Sequence, residues 1–379
     1  MAITARTLQH TSRQIPAGRF YRKELDVLRF FAFLLVFISH AIPLKDNSSR
    51  SWIALKTAGA LGVPVFFCLS AYLITELLLR ERTQTGSIDL KFFYVRRVLR
   101  IWPLYFLILL LGVAFFHWML RAAMPVSALL SYIFLAGNWY TAFHGYLPHG
   151  IDALWSISVE EQFYLFLPGL VKHLTDRNIL LGSFFVWGLS QISILALCFC
   201  HFGVDPGLWT NTLTNLQYFA IGTAVSAAFN GSVPNFEEPV RCVMIASGLV
   251  IFFLATFYFK IVHVYVARSS IERTYPGYLL TSLGVLLILT GFLGSSVLGG
   301  SSQLRYLGRI SYGLYIYHIP CILLSLQLGR ILFKSHISII GFVVGFPLTV
   351  AVSALSYRYF ETPFLRFKER FEIVKSRVV

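Results

Sequence analysis

Apolar runs of membrane-spanning length recur along the whole of this chain. They occupy residues 25–44, 57–79, 101–119, 126–143, 155–171, 179–200, 212–229, 240–259, 277–298, 310–329 and 338–357. A helix crossing the hydrocarbon core of a bilayer needs about 20 such residues. With no water there to pair its polar groups, a backbone run of this kind satisfies itself as a helix. Composition points the same way. Of the 379 residues, 56% are hydrophobic and only 13% charged, where a soluble domain carries about 25% charged residues. Mean hydropathy is +0.69. A soluble globular enzyme, a disordered chain and a secreted disulfide scaffold are thereby excluded. The expected fold is an all-α polytopic membrane protein with no separate soluble domain.

Charge arbitrates the topology. The run at 126–143 is short and interrupted by Gly137, Asn138 and Trp139. If all eleven runs cross, Lys and Arg divide almost evenly between the two sides. If 126–143 is re-entrant or lies on the outer surface, the count becomes 22 inside and 9 outside, setting aside Arg29 within the first run. The positive-inside rule selects this second arrangement. It has ten spans and both termini in the cytoplasm. Residues 1–24 form a basic N-terminal segment that leads straight into a span, as in a signal anchor. Residues 25–357 form the transmembrane domain, and 358–379 a basic C-terminal tail.

The net charge of +15 suits this topology and anionic lipid headgroups. A nucleic-acid partner would need a soluble basic face with interleaved aromatics; here the aromatics lie inside the apolar runs. Cys68, Cys198, Cys200, Cys242 and Cys321 read as buried thiols. They form no C-x-x-C pair, so neither a disulfide framework nor a metal site is expected.

Ionisable groups inside a span are costly and are functional candidates by default. The first span holds Asp26, Arg29 and His40. Eleven steps of 100° bring Arg29 and His40 to within about 20° of each other on the helix, and Asp26 to within about 60° of both. Their axial separation is about 16 Å. One helix face therefore carries a guanidinium in its first half and an imidazole, the usual general base near neutral pH, at its far end. Snorkelling of Arg29 and an idle interfacial His40 is the plain alternative.

The Arg29-x10-His40 spacing resembles the signature of the membrane acyltransferase-3 family, bacterial inner-membrane O-acyltransferases that modify polysaccharides. Five further segments resemble its motifs, in order. They are Gly62-Val-Pro-Val-Phe-Phe-Cys-Leu-Ser-Ala-Tyr-Leu-Ile-Thr75, Phe93-Tyr-Val-Arg-Arg-Val-Leu-Arg-Ile-Trp-Pro-Leu-Tyr105, Leu154-Trp-Ser-Ile-Ser-Val-Glu-Glu-Gln-Phe-Tyr-Leu165, Leu307-Gly-Arg-Ile-Ser-Tyr-Gly-Leu-Tyr-Ile-Tyr-His-Ile-Pro320 and Ser356-Tyr-Arg-Tyr-Phe-Glu-Thr-Pro-Phe364. Two positions depart from the family pattern: Ala71 stands where Gly is usual, and Pro64 where Asp is common.

The resemblance implies transfer of an acyl group, acetyl most simply, from cytoplasmic acyl-CoA to a hydroxyl of a carbohydrate or glycolipid at the outer face. His40 is then the base, with Arg29 and Glu160 as its catalytic companions. No bound cofactor or metal is implied, since acyl-CoA is a substrate. Arg97 and Arg100 match the family's Arg-x-x-Arg and would hold the donor's phosphates, as guanidinium does well. Arg29 would assist. Arg96 shares a helix face with Arg100 and is a weaker candidate; plain topogenic snorkelling is the alternative for all three. Glu160 lies on one face with Ser156 and Tyr164, and the charge count places this motif at the His40 end. Ser158-Val-Glu-Glu161 scans as a capping box, so Glu161 has a structural alternative. His318 is either a hydrogen-bonded core residue or part of the donor channel. Arg358 and Glu361, three apart, suit a local ion pair. Ser39 and Ser70 lack a base at nucleophile spacing.

Two rivals separate from this reading. One is another membrane O-acyltransferase fold with His318 as the catalyst. The other is a sugar or lipid transporter without acyl chemistry, which would often show inverted repeats that this sequence lacks.

Overall fold

The computed structural model describes residues 20–42, 44, 48–118, 121, 123–147, 151, 153–262, 268–333 and 337–376. Among these, all regular structure is helical. The order is α1 Lys23–Ala41, α2 Arg50–Ala60, α3 Gly62–Thr85, α4 Leu90–Trp118, α5 Val126–Ile133, α6 Gly137–His144, α7 Leu154–His173, α8 Asp176–Phe199, α9 Thr212–Phe229, α10 Glu238–Phe259, α11 Ile271–Phe292, α12 Ser302–Arg309, α13 Ser311–Phe333, α14 Ile337–Val343, α15 Gly345–Ser356 and α16 Thr362–Lys368. The first nineteen residues of the expected N-terminal segment lie outside the described residues.

Seven stretches are long and apolar enough to cross a bilayer: Arg50–Thr85, Leu90–Phe115, Asp176–Phe199, Glu238–Phe259, Ile271–Phe292, Ser311–Ile331 and Ile340–Phe371. This is a multi-pass membrane protein. Three other helices, α1, α7 and α9, have 19, 20 and 18 residues, or roughly 27–30 Å each. α1 is set apart by its charged residues, Glu24, Asp26 and Arg29 among them, and α7 and α9 by lower hydropathy from polar residues that the bundle buries, such as Ser158 and Gln217. The run 126–143 is two short helices, α5 and α6, of eight residues each, so neither reaches across a bilayer at 1.5 Å per residue. Their break is paired by protein. Gln162 donates to the Leu135 carbonyl at 2.9 Å and to Asn138 Oδ1 at 2.8 Å, and Asn138 donates to the Thr210 carbonyl at 3.1 Å.

The bundle closes around α3, where small residues let backbones approach. A Cβ on Gly62 would collide with the Ala32 carbonyl of α1, and one on Gly222 of α9 with the Cys68 carbonyl. Ala71, one of the two departures from the family pattern, packs its methyl against Gly222. The small partner on α9 thus accommodates the extra carbon. A buried Arg80–Glu76 pair at 2.7 Å ties α3 together, and Ser226 of α9 donates to Glu76 at 3.2 Å. Of the cysteines, Cys68, Cys198 and Cys321 are buried, whereas Cys200 and Cys242 are exposed. The expectation of five buried thiols is corrected, since an apolar stretch also has a lipid-facing side.

Residues 357–376 pack against the bundle. A π-helical turn, Tyr357–Glu361, carries α15 into α16. Its wider winding changes the phase, and the expected Arg358–Glu361 ion pair does not form. Arg358 lies over the Tyr359 ring at 5.3 Å, and the buried Glu361 accepts from Ser356 Oγ at 3.4 Å.

Candidate active site

Helix α1 serves two cavities, one at each end. The first, of about 190 Å³, gathers Arg29, Arg97, Arg100, Glu160 and Tyr164 from three helices. Arg29 donates to Asp26 Oδ1 at 2.9 Å, one turn back, and Asp26 also accepts from Tyr21 OH at 2.9 Å. Arg97 lies over the rings of Tyr164, at 5.4 Å, and Phe93, at 5.9 Å. Its Nε is buried without a hydrogen-bond partner. Glu160 accepts from both Ser70 and Tyr164. Cations here outnumber carboxylates, which suits an anionic guest.

The second cavity, about 270 Å³, holds His40 and His318. His40 is the penultimate residue of α1. Its Nδ1 lies 2.9 Å from the Val36 carbonyl, 3.3 Å from Ser39 Oγ and 3.4 Å from His318 Nε2. A carbonyl only accepts, so Nδ1 carries the proton, and in the neutral ring Nε2 keeps its lone pair. His318, fully buried, repeats the arrangement: its Nδ1 lies 2.5 Å from the Tyr315 carbonyl. The proton there leaves His318 Nε2 as an acceptor aimed at His40 Nδ1–H. The two rings meet edge-on, 4.9 Å apart.

Only Val63 and Tyr315 line both cavities among the described residues. Tyr315 shares a hydrogen bond of 2.7 Å with Ser156 Oγ and packs edge-on against Phe66 at 5.8 Å. This pair of side chains is the partition between the two spaces.

The structure brings together Asp26, Arg29, Arg97, Arg100, Glu160 and Tyr164, and pairs His40 with His318. Three expectations need correction. Glu160 does not lie at the His40 end: α7 starts at Leu154, which puts Glu160 about 9 Å along the helix, inside the basic cavity. Ser158 and Glu161 form no capping box, for the same reason. Ser158 bonds back to the Leu154 carbonyl at 3.3 Å, and Glu161 accepts from Trp102 Nε1 of α4 at 2.9 Å. Arg96 does not line the basic cavity. It pairs with Glu81 at 2.8 Å and donates to the Phe371 carbonyl at 2.7 Å, because one residue turns the helix by about 100°.

Sequence reasoning missed Lys56, Tyr146, Asp205 and Trp209 on the wall of the histidine cavity. Asp205 accepts from Tyr146 OH at 2.5 Å. Burial pushes its carboxyl above the ordinary value, against the opposing effect of that hydrogen bond. It is the only acidic residue in the connection 201–211, a signal that could have singled it out.

The comparisons with known proteins agree with this architecture. The model of the acyltransferase domain family matches residues 22–358. The Staphylococcus aureus (strain MSSA476) protein SAS0844 is 28% identical over 366 residues, covering 91% of this chain and 57% of its own. Peptidoglycan O-acetyltransferase OatA of Listeria monocytogenes is 27% identical over 382 residues, covering 94% of this chain and 57% of its own. O-acetyltransferase OatA of Staphylococcus aureus (strain NCTC 8325) is 27% identical over 362 residues, with 90% and 57% covered. The chain thus spans little more than half the length of these relatives. No solved structure matches it. The family model covers the histidine cavity, the partition and the part of the basic cavity built by the spans, and the chain belongs to the acyltransferase-3 family of membrane acyltransferases.

Proposed function

We propose that the protein moves an acyl group, acetyl in the simplest case, from cytoplasmic acyl-CoA to a hydroxyl of a cell-envelope or exported glycan. The observation that carries this reading is the pair of cavities on one helix, one cationic and one built on paired imidazoles, separated by two side chains. The bilayer is that of a bacterial inner membrane, with both termini cytoplasmic. α1, α7 and α9 join the seven apolar stretches as spans, and α5–α6 is the re-entrant element. The charge count and the two eight-residue helices support this topology.

The basic cavity opens to the cytoplasm and holds the donor. Arg97 and Arg100 take its phosphates, with Arg29 beside them. The thioester passes the Tyr315–Val63 partition. At the outer end His40 Nε2 removes the proton from the acceptor hydroxyl as the oxygen attacks the thioester carbonyl. The C–S bond then breaks and coenzyme A leaves as its thiol, taking the proton that His40 removed. His40 becomes an imidazolium whose Nδ1–H is held by His318 Nε2. His318 is thus a positioning residue. It fixes the His40 tautomer and shares the transient charge, as an orienting group behind a general base does.

Glu160 orders Ser70 and Tyr164 beneath Arg97, so its part is to shape the donor cavity. Arg96 is left out of donor binding.

The deciding experiment is release of CoA thiol by purified protein in nanodiscs, supplied with acetyl-CoA and a pool of envelope glycans. Glycan-dependent release that His40→Ala abolishes supports the reading. Release that survives His40→Ala but not His318→Ala moves the base to His318.

A further inference from the structure

The spans alone do not finish the basic cavity. Its end away from His40 is built by two segments from opposite ends of the sequence: Phe20–Arg22, ahead of α1, and α16 with the residues after it. The segments are stitched together where Phe20 N–H donates to the Lys375 carbonyl at 2.9 Å. On the other side Arg96 of α4 holds the Phe371 carbonyl, and the Phe371 ring meets Phe92 edge-on at 5.5 Å. The C-terminal segment is therefore a docked wall.

Among the described residues of that wall, Lys368 is the cation that lines the cavity, with Arg22 of the N-terminal segment at the same end. Lys368, the last residue of α16, lines the basic cavity and also, with Arg97, a small adjoining recess. Its ammonium donates to Glu372 Oε1 at 2.7 Å. Glu372 in turn accepts from Ser376 Oγ at 3.2 Å.

The two arginines come from a span, and Lys368 from the wall that closes the end away from His40. Tyr312, one turn from the partition residue Tyr315, donates to the Ile101 carbonyl at 2.7 Å, which sets Arg100 near the partition. Arg97 follows about 4.5 Å further along α4. Lys368 shares the adjoining recess with Arg97 and lies within electrostatic reach of both Arg100 and Arg97. An acyl-CoA entering acyl-first presents thioester, pantetheine, pyrophosphate, then the 3′-phosphorylated adenosine. An arginine pair suits the bridging pyrophosphate, and a lysine, a compact point charge, suits one terminal phosphate.

We propose that Lys368 reads the 3′-phosphate of coenzyme A, exchanging its bond to Glu372 for one to that phosphate. The C-terminal segment is then part of the donor site. This inference rests on the reading of the donor as acyl-CoA.

The test is titration calorimetry of the full chain in nanodiscs with coenzyme A and with 3′-dephospho-coenzyme A. The wild type is expected to prefer coenzyme A by about tenfold, the scale of one charge-assisted contact. Lys368→Gln is expected to bring that ratio close to one while leaving the affinity for the dephospho form unchanged, which also shows that the site is folded. Lys368→Arg should keep most of the preference. Glu372→Gln should strengthen coenzyme A binding severalfold by removing the competing carboxylate. A wild-type ratio retained in Lys368→Gln overturns the inference. So does an equal weakening of both ligands, which would make Lys368 an anchor of the segment. If neither compound binds the wild type, the acyl-CoA reading falls and this inference with it.

Discussion

The two cavities share α1, α3, α7 and α13 but differ in how they hold polarity. At the Arg29 end charge is abundant and ordered by ion pairs and rings: Arg29 on Asp26, Arg97 over Tyr164, Lys368 on Glu372. At the His40 end two imidazoles face each other at 3.4 Å, each with its Nδ1 on a backbone carbonyl of its own helix. In the proposed function, the fixed charges hold a multiply charged donor at one side. A neutral imidazole with a free lone pair takes up a proton that a fixed cation could not accept. On that reading recognition and proton transfer are kept apart, with Val63 and Tyr315 between them.

Removing the base is the strongest way to break that comparison. His40→Ala is expected to lower kcat by about a thousandfold, within the range general-base catalysis supplies. Coenzyme A binding, measured by calorimetry, should stay within about twofold, because His40 belongs to the other cavity. A comparable loss of donor affinity would show that the two cavities act as one site. Next in size is the opposite change. Arg97→Ala with Arg100→Ala should raise the acyl-CoA KM by about 30-fold or more, as losing two charge-assisted contacts would, with kcat moved far less. Steady-state kinetics at varied donor concentration separates the two. A fall in kcat at unchanged KM would assign the arginines to the chemical step.

His318→Gln sharpens the comparison inside one cavity. An amide still offers His40 Nδ1–H an acceptor, so kcat is expected to fall only about tenfold, while His318→Leu, which leaves Nδ1–H a weaker setting, should cost roughly a hundredfold. The discriminating readout is the pH profile of kcat: it should shift between wild type and His318→Gln if His318 supports the His40 imidazolium. Equal damage from Gln and Leu with an unmoved profile would make His318 a packing residue.

Some of this arrangement was legible in residue order. Helical periodicity put Arg29 and His40 on one face, and Arg97 and Arg100 three apart on another. The apolar runs foretold an all-helical membrane protein, and the interruption at Gly137 marked the two short helices. What failed was phase and depth. The charge count placed the Glu160 motif at the His40 end, but Glu160 lies six residues into α7, which begins at Leu154, and lines the basic cavity. Arg96 and Arg97 look equivalent in a row of basic residues, yet adjacent positions point about 100° apart. The His40–His318 pair joins residues 278 positions apart, a contact that no local pattern announces. Asp205 and Lys56 reach the same cavity from a connection and from the short helix α2, where the sequence offers too little periodic signal to place them.

The smallest expected effect tests that distinction of phase. Arg96 is tied to Glu81 and the Phe371 carbonyl, outside the basic cavity. Arg96→Gln should therefore change the acyl-CoA KM by less than about twofold, set beside the tens-fold effect of a phosphate-binding arginine. It should instead loosen the C-terminal wall and leave the buried Glu81 carboxylate short of its charged partner, a costly state. A lower melting temperature in nanodiscs, together with faster proteolysis after Lys368, is the expected outcome. If KM rises as far as in Arg97→Ala, with thermal stability unchanged, then Arg96 turns into the cavity when donor is bound, and the two basic neighbours act as one phosphate clamp.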